Sequence, residues 1–409
     1  MKYLSCILLI IVQAAFPAEA RAQTSPAVDD PVLSDTSFLK GIEALHNLDF
    51  PESRRRFEEV KARFPDHPAG AYYLSANLFL ETLLRPSQLL PLLSDLSGSK
   101  TFAGDAEDEL DQSTTQRFRT LTRQANQLAK ARLQRNSRDV VALYFNGATQ
   151  GLTAAFKGTL EGSITGAMRD GSEGVDNHRE VLRLDPNFHD AELSIGLYDY
   201  TVGALPFAIK ILAAIANVRG SKKRGLETLE RVGREGNLER HISKMILVIL
   251  YKREKRHAEA VDRARELTAA YPRNYLFKIA EADALISQAA AQRTSNQSVA
   301  ANLEREAFAI FESLTKTSAP GELVHFIYGE GLLKSGQAER AARQYLAAAS
   351  APRVEPSIAT IAHLRSAQAF DLAGKRREAS TQYEIVLKRP DAYKSRERAS
   401  QGLRKPYRE

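Results

Sequence analysis

Side chains able to handle a metal or a proton cluster at His189-Asp190-Ala191-Glu192. A zinc hydrolase helix needs two histidines four residues apart, so that both imidazoles face one ion, with a glutamate between them as base. No HExxH occurs and no two histidines stand at i, i+4, so this cluster reads as a turn and a helix cap. The nucleophile elbow GxSxG is missing, and no paired carboxylates sit in a loop-rich setting. Glycine supplies a different pattern. Gly147 and Gly151 fall on one helical face, and Gly158, Gly162 and Gly166 are expected on another. None stands in GxGxxG or GxxxxGK[ST] order after a strand, as a phosphate cradle requires. Each costs about 1 kcal/mol relative to alanine inside a helix, so the spacing needs a reason. Close helix crossing is the plain one and a backbone-lined groove the functional one. No catalytic, cofactor-binding or metal-binding residue is assigned, and the chain is expected not to be an enzyme.

Binding chemistry is better represented. Tyr198-Asp199-Tyr200 offers two phenols and a carboxylate at the end of a helix, before a flexible Gly203 and an apolar stretch from Pro206 to Val218. With Lys210, Lys222, Lys223 and Arg224 these are the candidate partner-binding residues. They admit two readings: a recognition pocket roofed by the apolar insert, or two tyrosines packing that insert while Asp199 caps a helix or pairs with an arginine.

Charge is uneven. Between Arg219 and Arg265 stand 14 Lys/Arg against 7 Asp/Glu, a local excess equal to the formal +7 of the whole chain. Such a band attracts nucleic acid, anionic lipid headgroups or acidic proteins. Much of it alternates in sign along helices (Arg231, Arg234, Glu235, Glu239, Arg240), which is the pattern of a solvated face.

The start of the chain bears on the choice among those partners. Met1-Lys2, the apolar run Leu4 to Phe16 and the small residues of Pro17 to Ala22 make a secretory signal peptide over residues 1–22, with cleavage after Ala22 or Ala20. The apolar run is about 13 residues, against roughly 20 for a membrane span. The single cysteine, Cys6, lies within it, so the mature chain has no thiol for a disulfide, a nucleophile or a metal. Export, to the periplasm or beyond, makes nucleic acid the least plausible partner. Residues 23–35 are expected to be a flexible leader.

The elements that must position these residues are helices. Asp185-Pro186-Asn187 stops one helix near Leu184 and caps the next, because proline bars the preceding residue from helical geometry and asparagine and aspartate supply capping oxygens. Apolar and small residues then recur in a fixed order: Gly329, Ala341, Tyr345 and Ala348 before Pro352, and Ala367, Ala379, Tyr383 and Val386 before Pro390, with Gly336 and Gly374 at the turns. Tyr251, Ala260, Ala264, Leu267 and Pro272 repeat the order, as do Gly41, Ala44, Ser53, Phe57, Val60 and Pro65.

This order resembles the tetratricopeptide repeat (TPR), a 34-residue helix-turn-helix unit. The run Tyr144-Phe145-Asn146-Gly147 through Gly196 to Tyr200, Leu205-Pro206 and Arg224-Gly225-Leu226 also looks like a group of exported bacterial repeat proteins, a likeness of shape that brings no chemistry. The resemblance implies an all-α TPR-type α-solenoid, a right-handed superhelix of about eight helix pairs over residues 36–406, closed by a C-terminal capping helix. The best repeats are 36–65, 185–200, 240–272, 322–352 and 356–390, and a long connection with its own apolar patch, Pro86 to Ser113, interrupts one unit. Each pair has an apolar face it cannot bury alone, so stacking is the folding event. The expected function is a non-enzymatic scaffold holding a protein or peptide on the concave face. A peripheral envelope-binding protein using the 219–265 band and the insert 206–218 against an anionic surface is the alternative, and small-ligand binding or enzymatic activity is the least supported. No cofactor and no transmembrane segment of the mature chain are expected.

Overall fold

The computed structural model describes residues 30–96, 101–102, 110–206 and 219–408. The signal-peptide reading, most of the leader and the apolar insert with Lys210 lie outside the described residues. Among the described residues the secondary structure is helical throughout, eighteen α-helices and a 3-10 turn, with no strand. Among the described residues the fold is all-α and built of helix pairs. Two compact units emerge, Met1–Leu83 with Leu110–Leu250, and Leu84–Glu109 with Tyr251–Glu409.

In the first unit Thr36–His46 pairs with Phe50–Arg63, Pro68–Leu83 with Gln112–Arg135, Val140–Thr159 with Ile164–Leu184, and Glu192–Gly203 with Lys222–Glu235. Short polar side chains start these helices. Asp35 accepts from the main-chain N–H of Ser37 and Phe38 at 2.9 and 3.1 Å, and Asp139 accepts from Ala142 at 2.9 Å, each satisfying donors that a helix N-terminus leaves open. At the end of the expected leader Asp30 and Val32 are buried, while Pro31 and Ser34 are exposed. Val32 is buried and its N–H donates to Asp30, whose carboxylate also meets His67 at 3.3 Å and Arg132 at 3.6 Å.

The second unit pairs His257–Ala270 with Tyr275–Gln292, the latter with Gln297–Leu314, then Gly321–Lys334 with Ala338–Ala349 and Pro356–Leu372 with Arg376–Leu387; Ser395–Arg404 closes it. The helix Arg240–Arg253 carries the boundary between the units.

One interlock repeats. Second helices bury a small residue, a large one four later and a third three beyond: Ser53, Phe57, Val60 and Gly174, His178, Val181 in the first unit; Ala307, Phe311, Leu314, then Ala341, Tyr345, Ala348, then Ala379, Tyr383, Val386 in the second. The large residue lies on a small one of the first helix. A Cβ on Gly329 would stand 2.8 Å from the Tyr345 ring, and one on Gly147 would stand 2.6 Å from His178. Polar pairs keep the same register: His325 bonds Gln344 at 2.7 Å and, one repeat later, His363 bonds Gln382 at 2.9 Å.

The glycine spacing thus has its reason in close crossing. Gly147 and Gly174 approach so nearly that a Cβ on either would fall 2.8 Å from the other's carbonyl oxygen. The expected second face of Gly158, Gly162 and Gly166 does not form. The helix ends at Thr159, and Gly162 takes a φ of +65° in the turn before Ile164, so the three never share a helix.

Candidate interaction surfaces

Around the residues singled out in the first unit, the side chains largely satisfy one another. Tyr200 is fully buried, Tyr198 is half-buried with the Arg179 guanidinium 5.5 Å from its ring, and Asp199, buried, takes a bidentate hold on Arg224. The structure therefore brings Asp199 and Arg224 together as one ion pair. Gly225 makes this possible, since a Cβ there would lie 2.6 Å from the Gly196 carbonyl and 2.5 Å from the Tyr200 nitrogen. Lys223 is exposed beside Glu227, and Lys222 is partly covered. Other cations of the basic band are likewise paired: Arg231 with Glu192 at 2.7 Å in the first unit, and Arg256 with Glu259 and Arg265 with Glu306 in the second.

The His189 to Glu192 cluster does structural work. Asp190 is buried and accepts from the N–H groups of Asn237 and Glu239 at 2.7 and 2.9 Å, holding the loop that starts the helix Arg240–Arg253. Beneath it lies a polar core that sequence reasoning missed. The Tyr144 hydroxyl donates to fully buried Glu239 at 2.6 Å. Burial pushes the Glu239 carboxyl well above the usual range, and Asp190 upward in the same way. His178 Nε2 faces the Tyr144 carbonyl at 3.0 Å and so carries the proton, leaving Nδ1 to accept from Ser194 at 2.6 Å. Burial pushes His178 down to about 4 and His46 down to about 3, so both stand neutral. No signal in the sequence separates these histidines from exposed ones, except that His178 occupies the large position of its repeat.

The second unit presents a different arrangement on its first helices. Asp283, on Tyr275–Gln292, receives both Lys252, at the end of Arg240–Arg253, and Lys334, at the end of Gly321–Lys334. Burial alone would raise the Asp283 carboxyl, but the two ammonium groups hold it below the usual range. One step further, Glu330 takes Arg365 at 2.8 Å while the Tyr345 hydroxyl donates to the same carboxylate at 2.6 Å. These pairs mark a face shared by successive first helices.

That face is covered by the chain's own connection. The helix Pro86–Leu96 packs on Gly321–Lys334 and Pro356–Leu372, with Leu89 and Leu90 buried. Phe102 sets its ring edge-on to Tyr393 at 5.0 Å and tilted to Phe326 at 5.5 Å. Arg398 donates to the Thr101 carbonyl at 2.6 Å. From Ser357 to Phe370 only His363 is not buried, as expected of a helix covered on both its repeat face and its opposite face. The long connection and its apolar patch are legible in the sequence, whereas the helices they pack against are not.

No described helix is long and apolar enough to cross a membrane. No protein-family model matches the sequence, and no curated protein matches it. Among solved structures the chain is similar to a human IFIT1 dimer with m7Gppp-AAAA, at 11% identity and a TM-score of 0.47 over 99% of this chain and 85% of that one. It is also similar to a tetratricopeptide repeat protein from Parabacteroides merdae (13% identity, TM-score 0.32, 80% of this chain and 97% of that one). Yeast Tom70 aligns at 14% identity and a TM-score of 0.42, over 90% of this chain and 80% of that one.

Proposed function

We propose that the protein is a non-enzymatic interaction scaffold, exported to the periplasm or secreted, that holds a protein or peptide segment along the face made by the first helices of its repeats. The observation that carries this reading is the seating of a segment from elsewhere in the chain on the first helices Gly321–Lys334 and Pro356–Leu372, beside Tyr393 and Arg398 of the C-terminal closing segment. Two aromatic rings take Phe102, an arginine takes the neighbouring main-chain carbonyl, and leucines of a short helix are buried beside them. A surface that receives an apolar segment with a main-chain acceptor has the chemistry of peptide recognition: apolar pockets for affinity and a few placed polar groups for orientation. The pairing of several cations of the basic band weighs against the envelope-surface alternative, since cations already held by carboxylates attract a polyanion less strongly.

A photo-crosslinking residue at exposed Lys334, on a first helix, is compared with one at exposed Arg377, on a second helix, in the cell that makes the protein. The reading expects a discrete adduct of defined mass from position 334 and none from 377. Equal labelling from the two positions, or none from 334, contradicts it.

A further inference from the structure

The connection between Leu83 and Leu110 is an excursion. The helices it joins, Pro68–Leu83 and Gln112–Arg135, pack directly on each other, so the first unit does not depend on the excursion for their pairing. Within the excursion, Pro91 lies inside the helix Pro86–Leu96, where it withdraws a backbone donor and crowds the carbonyl of Ser87. Such a helix is held by the surface it sits on more than by its own ladder. Its anchor, Phe102, sets its ring against those of Phe326 and Tyr393. Arg398 gives a charged donor to a neutral acceptor, the Thr101 carbonyl, and among the described residues no carboxylate stands within ion-pair reach of it. Burial and the nearby Arg365 guanidinium pull Arg398 below the usual arginine value, as expected of a cation short of its counter-charge.

We propose that the helix Pro86–Leu96 with Thr101 and Phe102 is a displaceable occupant of the surface made in the second unit by the first helices Gly321–Lys334 and Pro356–Leu372 together with Tyr393 and Arg398, and that the partner that replaces it presents an aromatic side chain adjoining a carboxylate. The inference rests on the scaffold reading and names the ligand chemistry of that face. The aromatic side chain takes the place of Phe102 between Phe326 and Tyr393, and the carboxylate gives Arg398 the charge-assisted bond that the Thr101 carbonyl does not. A tethered occupant competes at a high effective concentration, so the intact chain binds such a partner more weakly than one whose tether is disabled.

The test uses the full chain, its Phe102→Ala variant, and a labelled synthetic peptide of residues 86–102. One form of the peptide ends in a free carboxylate at Phe102, next to the carbonyl Arg398 now receives, and the other ends in an amide. The expected result is that Phe102→Ala binds the free-acid peptide about tenfold or more tighter than wild type does. The acid should bind more tightly than the amide, and Arg398→Gln in the Phe102→Ala background should level the two. Equal binding by wild type and Phe102→Ala, or an acid no tighter than its amide, overturns the proposal. If Phe102→Ala fails to fold, hydrogen exchange of the wild type decides. Amides of 86–96 should exchange well before those of 356–372, and exchange of both segments together overturns displaceability. A chain that gives the Lys334 adduct yet takes up no peptide removes this inference and leaves the scaffold reading standing.

Discussion

Gly329 and Tyr345 interlock so closely that a methyl group on the glycine would stand 2.8 Å from the ring, whose hydroxyl continues to Glu330 at 2.6 Å. Neither side can yield, because Tyr345 is fully buried and its hydroxyl is held. Gly329→Ala is therefore expected to destabilise the second unit by on the order of 1–3 kcal/mol through overpacking, and Ala341→Leu by a similar amount at the small position of the facing helix. Thermal melting checks both. A variant that melts with the wild type would show that the register of this repeat is wrong.

Glu239 makes stability depend on pH on the neutral side. Its folded pKa is raised by burial, so between the ordinary carboxyl value and the raised one the folded chain keeps a proton that the unfolded chain has lost. Stability then falls as pH rises through that window, by up to roughly 1.4 kcal/mol per pH unit. Glu239→Gln keeps an acceptor for Tyr144 and has no proton to lose. Urea titrations from pH 5 to 8 should give a flatter profile for the variant, and parallel profiles would contradict the assignment.

His46 and His178 act on the acid side with the opposite slope. Their folded pKa values, about 3 and about 4, lie below the unfolded value near 6.5. The unfolded chain takes up protons first as pH falls below 6.5, so stability is lost from there toward the folded values. His178→Gln should lower stability at pH 7, because its bonds to Ser194 and the Tyr144 carbonyl are disturbed. It should also reduce the loss between pH 6.5 and 4.5. An unchanged acid slope would count against His178 as a contributor.

The basic band makes a prediction about salt. With Arg224 on Asp199, Arg231 on Glu192 and Arg265 on Glu306, part of the band's positive charge is already countered by carboxylates. Co-sedimentation with vesicles rich in anionic lipid should be weak even in dilute buffer. Retention of the Lys334-crosslinked partner should change little in about half-molar salt, where the Debye length has fallen to a few ångströms. Strong vesicle binding that salt abolishes would favour the envelope-surface alternative.

The fold was largely legible because repeat positions encode it locally. Gly329, Ala341 and Tyr345 are spaced by helix geometry, and Asp185-Pro186 ends a helix at Leu184 by stereochemistry alone. What was hidden is non-local. Nothing near Pro86 says that its helix seats on Gly321–Lys334 and Pro356–Leu372, and nothing near Asp190 says that its carboxylate caps a loop at Asn237. The Tyr198 to Tyr200 stretch drew notice through its residue types, yet Asp199 needs Arg224 and Tyr200 needs burial, and composition does not distinguish a recognition motif from a satisfied packing one. Gly162 misled for a related reason: four-residue spacing carries meaning only while the helix continues, and here it had already turned.

Hydrogen exchange of the full chain, alone and with the partner recovered at Lys334, tests the scaffold reading most directly. The account predicts added protection in the first helices 275–292, 321–334 and 356–372, with helices 297–314 and 376–387 unchanged. Protection confined to those second helices, or to the basic helix 222–235, would contradict it.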